Sequence, residues 1–355
     1  MPLTRKEHIE AIADRVADYR EGDVPPRTPK RIERWVEQFP EEAQDGILAE
    51  MNHVLGKTYI SRKDMLVFLM GLVTHEKFTK GDPKGFWRRA NLLDIQQRGN
   101  SQREILAMFG EVLRQETGLD LADCGSDDGP FVYLDDGVFG GGRVLEDLAA
   151  WIEKSAPKEC EIRVVVAALH TLGQYYVGKK LADVKKKTAK KVSLSWWRID
   201  EVENRRYYKN ESDVLWPTAV PAGPLAEAYV RYLTEEEPKY KIELRTPGSV
   251  GKKKFFSSDE ARILLEQEFL SAGLRIRDVA PLLPVTARPL GATLLKTPGF
   301  GAIIVTFRNC PNNCPLAFWA GDPWHPLFPR STNTEAFVRR MLEAIRAARA
   351  RKDKG

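Results

Sequence analysis

The sequence predicts an α/β protein with a doubly wound, mainly parallel sheet, preceded by an N-terminal helical region. Short apolar runs such as 91–95, 131–134 and 163–169 alternate with amphipathic stretches of helical length, as in βαβ units. These runs are almost continuously apolar, which is typical of parallel strands buried on both faces. In the first 75 residues, apolar side chains instead recur at helical spacing.

Local signals place the elements and the domain boundaries. Thr4 and Ser61 each stand three residues before an acidic residue, as in a capping box, and Thr28 precedes a proline that suits the first helical position. The segment 77–85, rich in lysine and glycine, interrupts the helical pattern. We therefore predict three regions: 1–78 (N-terminal helical region), 79–330 (α/β domain with a C-terminal elaboration) and 331–355 (C-terminal helix and basic tail). Within the second region, we predict a helix from Ser257 and a strand over 301–307.

The composition excludes several classes of protein. With 43% hydrophobic residues among 355, the chain can bury a core, so it is not disordered throughout. Its net charge of +5 is a milder excess than that of proteins that coat DNA. No apolar run approaches the ~18 residues of a membrane helix, no signal peptide is visible, and four cysteines do not make a disulfide scaffold. We expect a cytoplasmic protein without membrane association.

The clearest chemical signal lies in the segment 131–144. A buried strand leads to an acidic pair, three glycines and an arginine at the start of a helix: Asp135, Asp136, Gly140, Gly141, Gly142 and Arg143. At the carboxyl edge of such a sheet, glycines let backbone N–H groups approach a phosphate, and the helix N-terminus adds positive potential. The two carboxylates could hold ribose hydroxyls, or a magnesium ion shared with the phosphates. The alternative is an ordinary strand-to-helix turn.

Two further segments are predicted at the same edge. One follows the first strand of the core and opens a helix: Gln97, Arg98, Gly99, Asn100 and Ser101. His170 ends the run 163–169, where a neutral imidazole could act as a general base or contact a nucleobase. The alternatives are a plain capped helix for the first segment and a structural histidine for the second.

The order of strand, acidic pair and glycine turn resembles the PRPP-binding loop of the type I phosphoribosyltransferases (PRTases), whose pattern is Asp-Asp-x-x-x-Thr-Gly-x-Thr. Asp135, Asp136 and Gly141 match this pattern, whereas Gly140 and Arg143 replace its threonines. The resemblance implies a type I PRTase-like fold, and PRPP or a related nucleotide as the ligand. It further implies an Mg²⁺ ion that Asp135 and Asp136 hold indirectly, and a pyrophosphate loop at 97–101.

A narrower resemblance covers most of the chain. The order of its segments is similar to that of the PRTase-like proteins of bacterial conflict systems, the PRTase-CE family. The matching pieces are 34–39, 97–102, the loop after Asp135 and Asp136, 309–316 and 326–330. This resemblance implies a role in antiphage defence or another biological conflict, with a protein partner encoded in the same operon.

Three functional hypotheses follow. The first is a magnesium-dependent enzyme acting at the ribose C1 of PRPP or a nucleotide, and the second is a non-catalytic nucleotide-sensing or adaptor protein. The third is a nucleic-acid-binding protein that uses the seven lysines between Lys179 and Lys191, for which a solvated helix face is the alternative. The spacing of Cys310 and Cys314 suggests either a zinc site or a simple turn. Trp319 and Trp324 could either pack on the core or stack on a nucleobase.

Overall fold

The computed structural model describes residues 3–97, 100–236, 242–280, 283, 286–293 and 297–330. The helices, in chain order, are α1 (Arg5–Arg15), α2 (Pro29–Val36), α3 (Glu41–Thr58), α4 (Arg62–Thr74), α5 (Glu76–Thr79), α6 (Pro83–Arg89), α7 (Ser101–Thr117), α8 (Gly142–Lys154), α9 (Thr171–Thr188), α10 (Pro224–Glu236), α11 (Asp259–Val279) and α12 (Leu316–Trp319). The strands are β1 (Tyr59–Ile60), β2 (Asn91–Leu92), β3 (Phe131–Val138), β4 (Glu159–His170), β5 (Lys191–Val202) and β6 (Val305–Thr306). No helix within these residues is long and apolar enough to cross a membrane.

The chain divides into two compact units. One comprises the described residues up to 59 and from 209 to 330 and contains α1–α3 and α10–α12. The other comprises the described residues from 60 to 208 and contains α4–α9 with the main sheet. The two units do not divide the chain at 78 and 330, the boundaries of the three regions predicted from the sequence. Those boundaries therefore stay a prediction. The C-terminal helix predicted over 331–355 lies outside the described residues.

The main sheet confirms the predicted fold class. Its four strands are parallel and lie in the order β2-β3-β4-β5, so that Tyr133 is opposite Val164 and Val164 is opposite Trp196. Parallel strands with helical connections make an α/β fold, and helices α1–α3 precede it in the chain.

Helices cover both faces of this sheet. Tyr133 and Val164 share one face and form a hydrophobic cluster with Leu148 of α8 and Val177 of α9. On the other face, Arg163 and Trp197 pack against the ring of Phe78, which stacks on Trp87, and Trp87 contacts Phe109 of α7.

This placement of the helices separates two loops at the carboxyl edge of the sheet. The chain that leaves β2 enters α7 on one face, whereas the chain that leaves β3 enters α8 on the other. When the connections of two adjacent strands run to opposite faces of a sheet, a crevice forms at the carboxyl ends of these strands. Ligands of α/β proteins bind in such crevices. Gln97 and the glycine turn at 140–142 lie at these two connections.

The strand predicted over 301–307 is wrong in extent. Only Val305–Thr306 is a strand, and Gly301 forms a single antiparallel bridge with Leu215. Residues 302–304 are fully buried outside any strand, so their apolar character reflects burial and not strand pairing. The helix predicted from Ser257 is present as α11, with Ser258 as its cap.

Candidate functional site

The acidic pair lies inside β3. The strand was predicted to end at Leu134, but its pairing with β4 continues through Gly137 and Val138. Asp135 and Asp136 are therefore strand residues, with only 3% and 4% of their surfaces exposed. Burial of two adjacent carboxyl groups is costly unless they are neutralised or hydrogen-bonded.

Asp135 is both hydrogen-bonded and neutralised. Its Oδ1 accepts the backbone N–H of Asp136 at 2.9 Å, its Oδ2 lies 3.3 Å from the hydroxyl of Tyr133, and the hydroxyl of Ser101 also donates to it. Burial, and next the charge of Asp136 beside it, raise the pKa of Asp135 to about 8. At neutral pH, Asp135 therefore holds a proton and can donate a hydrogen bond.

Asp147 of α8 extends this buried network. Its Oδ2 accepts from the Tyr133 hydroxyl at 3.1 Å, and its Oδ1 accepts the backbone N–H of Gln97 at 3.2 Å. Burial is the main cause that raises the pKa of Asp147. Asp147 was not among the predicted site residues, although its position carries a signal: it is a charged residue in the inward-facing stripe of α8 formed by Val144 and Leu148.

Two glutamine side chains fix the loop that follows β2. The Oε1 of Gln102 accepts the backbone N–H groups of Ile95 and Gln96 at 2.8 and 2.9 Å. In return, the Gln96 amide accepts the backbone N–H of Gln102 at 3.1 Å and donates to the Ser101 hydroxyl at 2.9 Å. The predicted pyrophosphate loop is thus held at both ends, while Arg98 and Gly99 lie outside the described residues.

The glycine turn begins α8. Gly141 precedes the helix with a φ of +77°, and a Cβ at this position would lie 2.7 Å from the carbonyl oxygen of Gly173. Both observations require glycine at 141. Gly140, Gly142 and Arg143 are exposed, and the first N–H groups of α8 precede its first internal hydrogen bond, from Leu145 to Gly141. These N–H groups can receive an anion at the helix N-terminus.

His170 lies at the same edge beneath Phe139. It is the last residue of β4 and is fully buried, and its ring centroid lies 5.2 Å from that of Phe139. Phe139 folds back over Gly137, where it occupies the space that a side chain at 137 would take. Burial lowers the pKa of His170 to about 4, and neither ring nitrogen has a well-formed hydrogen bond within the described part of the chain. The imidazole is therefore neutral, and Phe139 would have to move before a ligand could reach it.

The structure thus brings together most of the predicted residues. Ser101 donates directly to Asp135, whereas Gln97 is linked to it through Asp147 and Tyr133. The positive charge of Arg143 acts on Asp147 one turn along α8. His170 packs against the ring of Phe139, and its ring nitrogens make no hydrogen bond to this network among the described residues. Within the described ranges, no group of three or more His, Cys, Asp or Glu side chains is placed to hold a metal ion, and this includes Cys310 and Cys314, which are buried.

Trp319 and Trp324 take part in core packing. Trp319 is 7% exposed, and its indole N–H donates to the carbonyl of Cys314 at 2.9 Å. The indole N–H of Trp324 donates to Ala317 at 3.0 Å, and its ring makes an edge contact with Phe39. Indoles whose N–H groups are satisfied by the backbone favour the packing alternative over base stacking.

The lysine run spans the end of α9 and the start of β5. Lys185 donates to the carbonyl of Val192 at 3.1 Å, Lys190 donates to that of Ile152 at 2.5 Å, and Lys187 pairs with Glu153 at 3.1 Å. These three side chains serve the protein's own structure. Lys179, Lys180 and Lys186 are exposed.

Replacing the exposed lysines should therefore have little effect on stability. We expect the triple variant Lys179→Gln, Lys180→Gln, Lys186→Gln to change the free energy of unfolding by less than about 0.5 kcal/mol. Lys190→Gln should lower it by about 1 kcal/mol, because it removes a charged hydrogen bond to the last turn of α8. Urea unfolding checks both values. Loss of oligonucleotide binding in the triple variant, measured by fluorescence anisotropy, would instead support the nucleic-acid hypothesis.

A parallel α/β sheet, an acidic pair and a glycine turn at the carboxyl edge define a protein of the PRTase-like class. A family model, PRTase-CE, matches residues 32–330. The chain therefore belongs to the PRTase-CE family, as the resemblance implied. Searches of curated proteins and of solved structures give no match.

Proposed function

We propose that this protein is a phosphoribosyltransferase-like effector of a bacterial antiphage or conflict system. In this proposal it binds PRPP or a related nucleotide with Mg²⁺, and it transfers or cleaves at the ribose C1. The observation that carries the proposal is the link from Ser101 to Asp135, which joins the loop after β2 to the acidic pair of β3 at one edge of the sheet. Membership of the PRTase-CE family supports the role in conflict, and with it a partner protein from the same operon.

Each loop fits one part of such a ligand. The exposed N–H groups at the start of α8, together with Arg143, suit the 5′-phosphate. The loop from Gln97 to Ser101 suits the pyrophosphate. Asp135 and Asp136 lie on the strand between these two loops, where the ribose would be placed.

The two carboxyl groups suit different tasks. Asp135 is protonated near neutral pH and can donate a hydrogen bond to a ribose oxygen. Asp136 supplies negative charge that would stabilise an oxocarbenium-like transition state. In the reaction, the C1–O bond to pyrophosphate breaks and pyrophosphate leaves with the electron pair. A nucleophile then forms its bond to C1 and gives its proton to a base, for which neutral His170 is the candidate.

In this proposal an Mg²⁺ ion arrives with the ligand, and Asp135 and Asp136 would hold it indirectly. Among the described residues there is no protein cage for a metal, and the acidic pair offers few free oxygens. Mg²⁺ commonly binds through one or two carboxylates and the phosphates of its substrate. When bound, it would neutralise charge on the departing pyrophosphate.

Direct turnover tests the proposal. We expect pyrophosphate release when the protein is incubated with PRPP, Mg²⁺ and candidate acceptors, with products identified by mass spectrometry. Asp136→Asn should reduce the rate by about 10²- to 10³-fold, because it removes charge at the ribose. Asp127→Asn is the matched control, because Asp127 is an exposed carboxylate of the same unit. Equal rates for the two variants would contradict the proposal.

A nucleotide-sensing role is the second candidate. The burial of both carboxyl groups and the cover that Phe139 gives to His170 favour it, as do the glycine and arginine in place of the two threonines. A sensor should bind PRPP or a nucleotide in titration calorimetry and form no product during long incubation. That pair of results would exclude the enzyme and leave the ligand site intact.

A further inference from the structure

A second group of cationic side chains lies in the unit formed by residues 1–59 and 209–330. It consists of Arg27, Arg31, Arg34 and His325, and we refer to it as the arginine cluster. The arginines are spaced by four and three residues, so they share one side of α2 and of the turn before it. His325 lies in the segment that follows α12.

Hydrogen bonds to the backbone hold this cluster in place. The amide of Gln38 donates to the carbonyl of His325 at 2.9 Å and accepts its N–H at 2.8 Å. Arg27 is 4% exposed and donates to the carbonyls of Pro25 and Leu327 at 3.1 and 3.2 Å. These bonds satisfy donors but neutralise no charge, because carbonyl oxygens are uncharged.

The arginines of the cluster lack direct acidic partners in the part of the chain that the structure describes. Within the described residues, none of the three arginines forms an ion pair. Burial, and next the charge of Arg31, lower the pKa of Arg27 to about 10. Burial, and next the charges of the three arginines, lower the pKa of His325 to about 4. The Nε2 of His325 is buried and has no hydrogen-bond partner in the described part of the chain. Like charges held together without direct ion pairs repel one another, and a bound anion would offset this repulsion.

We propose that the arginine cluster binds a small phosphate-bearing anion, with Arg31 and Arg34 as its cationic contacts and the Nε2 of His325 as a hydrogen-bond partner. Guanidinium groups match phosphate oxygens in charge and geometry. Arg34 is exposed and Arg31 is half-buried, so both can reach a ligand from solvent, while buried Arg27 adds charge behind them. This site is independent of the proposed catalytic function, because it shares no residue with the sheet edge.

Thermal unfolding with pyrophosphate as the probe tests this site. The variants are Arg31→Gln with Arg34→Gln, and Lys30→Gln as the matched control, because Lys30 is an exposed cation on the same helix. Without pyrophosphate, we expect the double variant to have a higher Tm than the wild type, because repulsion is relieved. With pyrophosphate, the order should reverse, because only the intact cluster gains stability from the ligand. Lys30→Gln should follow the wild type in both conditions.

Calorimetry gives the second measurement. We expect the double variant to weaken pyrophosphate binding roughly 10-fold or more, the effect of losing charged hydrogen bonds, with potassium chloride at matched ionic strength as the screening control. Equal pyrophosphate affinity and equal Tm gains in all three proteins would overturn the proposal. So would oligonucleotide binding that requires the arginines while pyrophosphate has no effect on the Tm.

Discussion

Replacing Asp135 by asparagine is expected to stabilise the protein at neutral pH. Its raised pKa, about 8, means that the fold keeps this carboxyl group protonated where the unfolded chain ionises it. The stability associated with Asp135 is therefore complete below the unfolded pKa of roughly 4, and it is lost as the pH rises towards 8. Asparagine resembles the protonated acid in shape, and it does not ionise.

We expect Asp135→Asn to raise the free energy of unfolding at pH 7.5 by on the order of 2 kcal/mol, with roughly a 5 °C rise in Tm. The gain should shrink to a few tenths of a kcal/mol near pH 4, where about half of the unfolded chains carry the proton as well, and it should vanish at still lower pH. Thermal melts from pH 4 to pH 8 measure this difference, with Asp127→Asn as the exposed control. A variant that is less stable than the wild type at pH 7.5 would show that Asp135 is ionised in the fold.

The same variant bears on function. Because asparagine preserves a hydrogen-bond donor, ligand binding at pH 7 should survive Asp135→Asn far better than Asp136→Asn. A buried acid that lowers stability at neutral pH is typical of a site kept for function, since a neutral residue there would give a more stable fold. The two adjacent aspartates, which look equivalent in the sequence, thus have different roles.

The sequence was sufficient for the class of fold and for the edge that carries the site. Continuous apolar runs marked β3 and β4 because strands buried on both faces have no polar side to display. It could not show that β3 continues through Asp135 and Asp136, because acidic residues normally end a buried strand. The network with Tyr133, Ser101 and Asp147 accommodates the burial of Asp135, and that network joins residues far apart in the chain.

Other features also depend on contacts that local sequence does not encode. The apolar run 301–307 predicted a strand, yet most of it is buried without strand pairing. The cover of Phe139 over His170 depends on the absence of a side chain at Gly137, two residues earlier. The arginine cluster joins α2 to a residue almost 300 positions later, as Gln38 and His325 show. Tertiary contacts decide such features, and periodicity carries no signal for them.

Replacing Gly141 by alanine is expected to be among the most destabilising single changes in the sheet unit. The φ of +77° costs an L-residue about 1–2 kcal/mol. A Cβ only 2.7 Å from the carbonyl oxygen of Gly173 must also push α8 away from α9, which adds about 1–3 kcal/mol of overpacking. We therefore expect a loss of about 3 kcal/mol in the free energy of unfolding, measured by urea denaturation.

The adjacent glycine provides the matched control. A Cβ at Gly142 would meet no atom within 4 Å, and this residue begins α8 with an ordinary helical backbone. Gly142→Ala should therefore leave the free energy of unfolding within about 0.5 kcal/mol of the wild type. Equal losses in the two variants would show that the turn is not fixed by Gly141 and its contact with Gly173. If the expected difference is found, Gly141 sets the course of the chain into α8, and any effect of Gly142→Ala on PRPP binding can be assigned to the ligand and not to the fold.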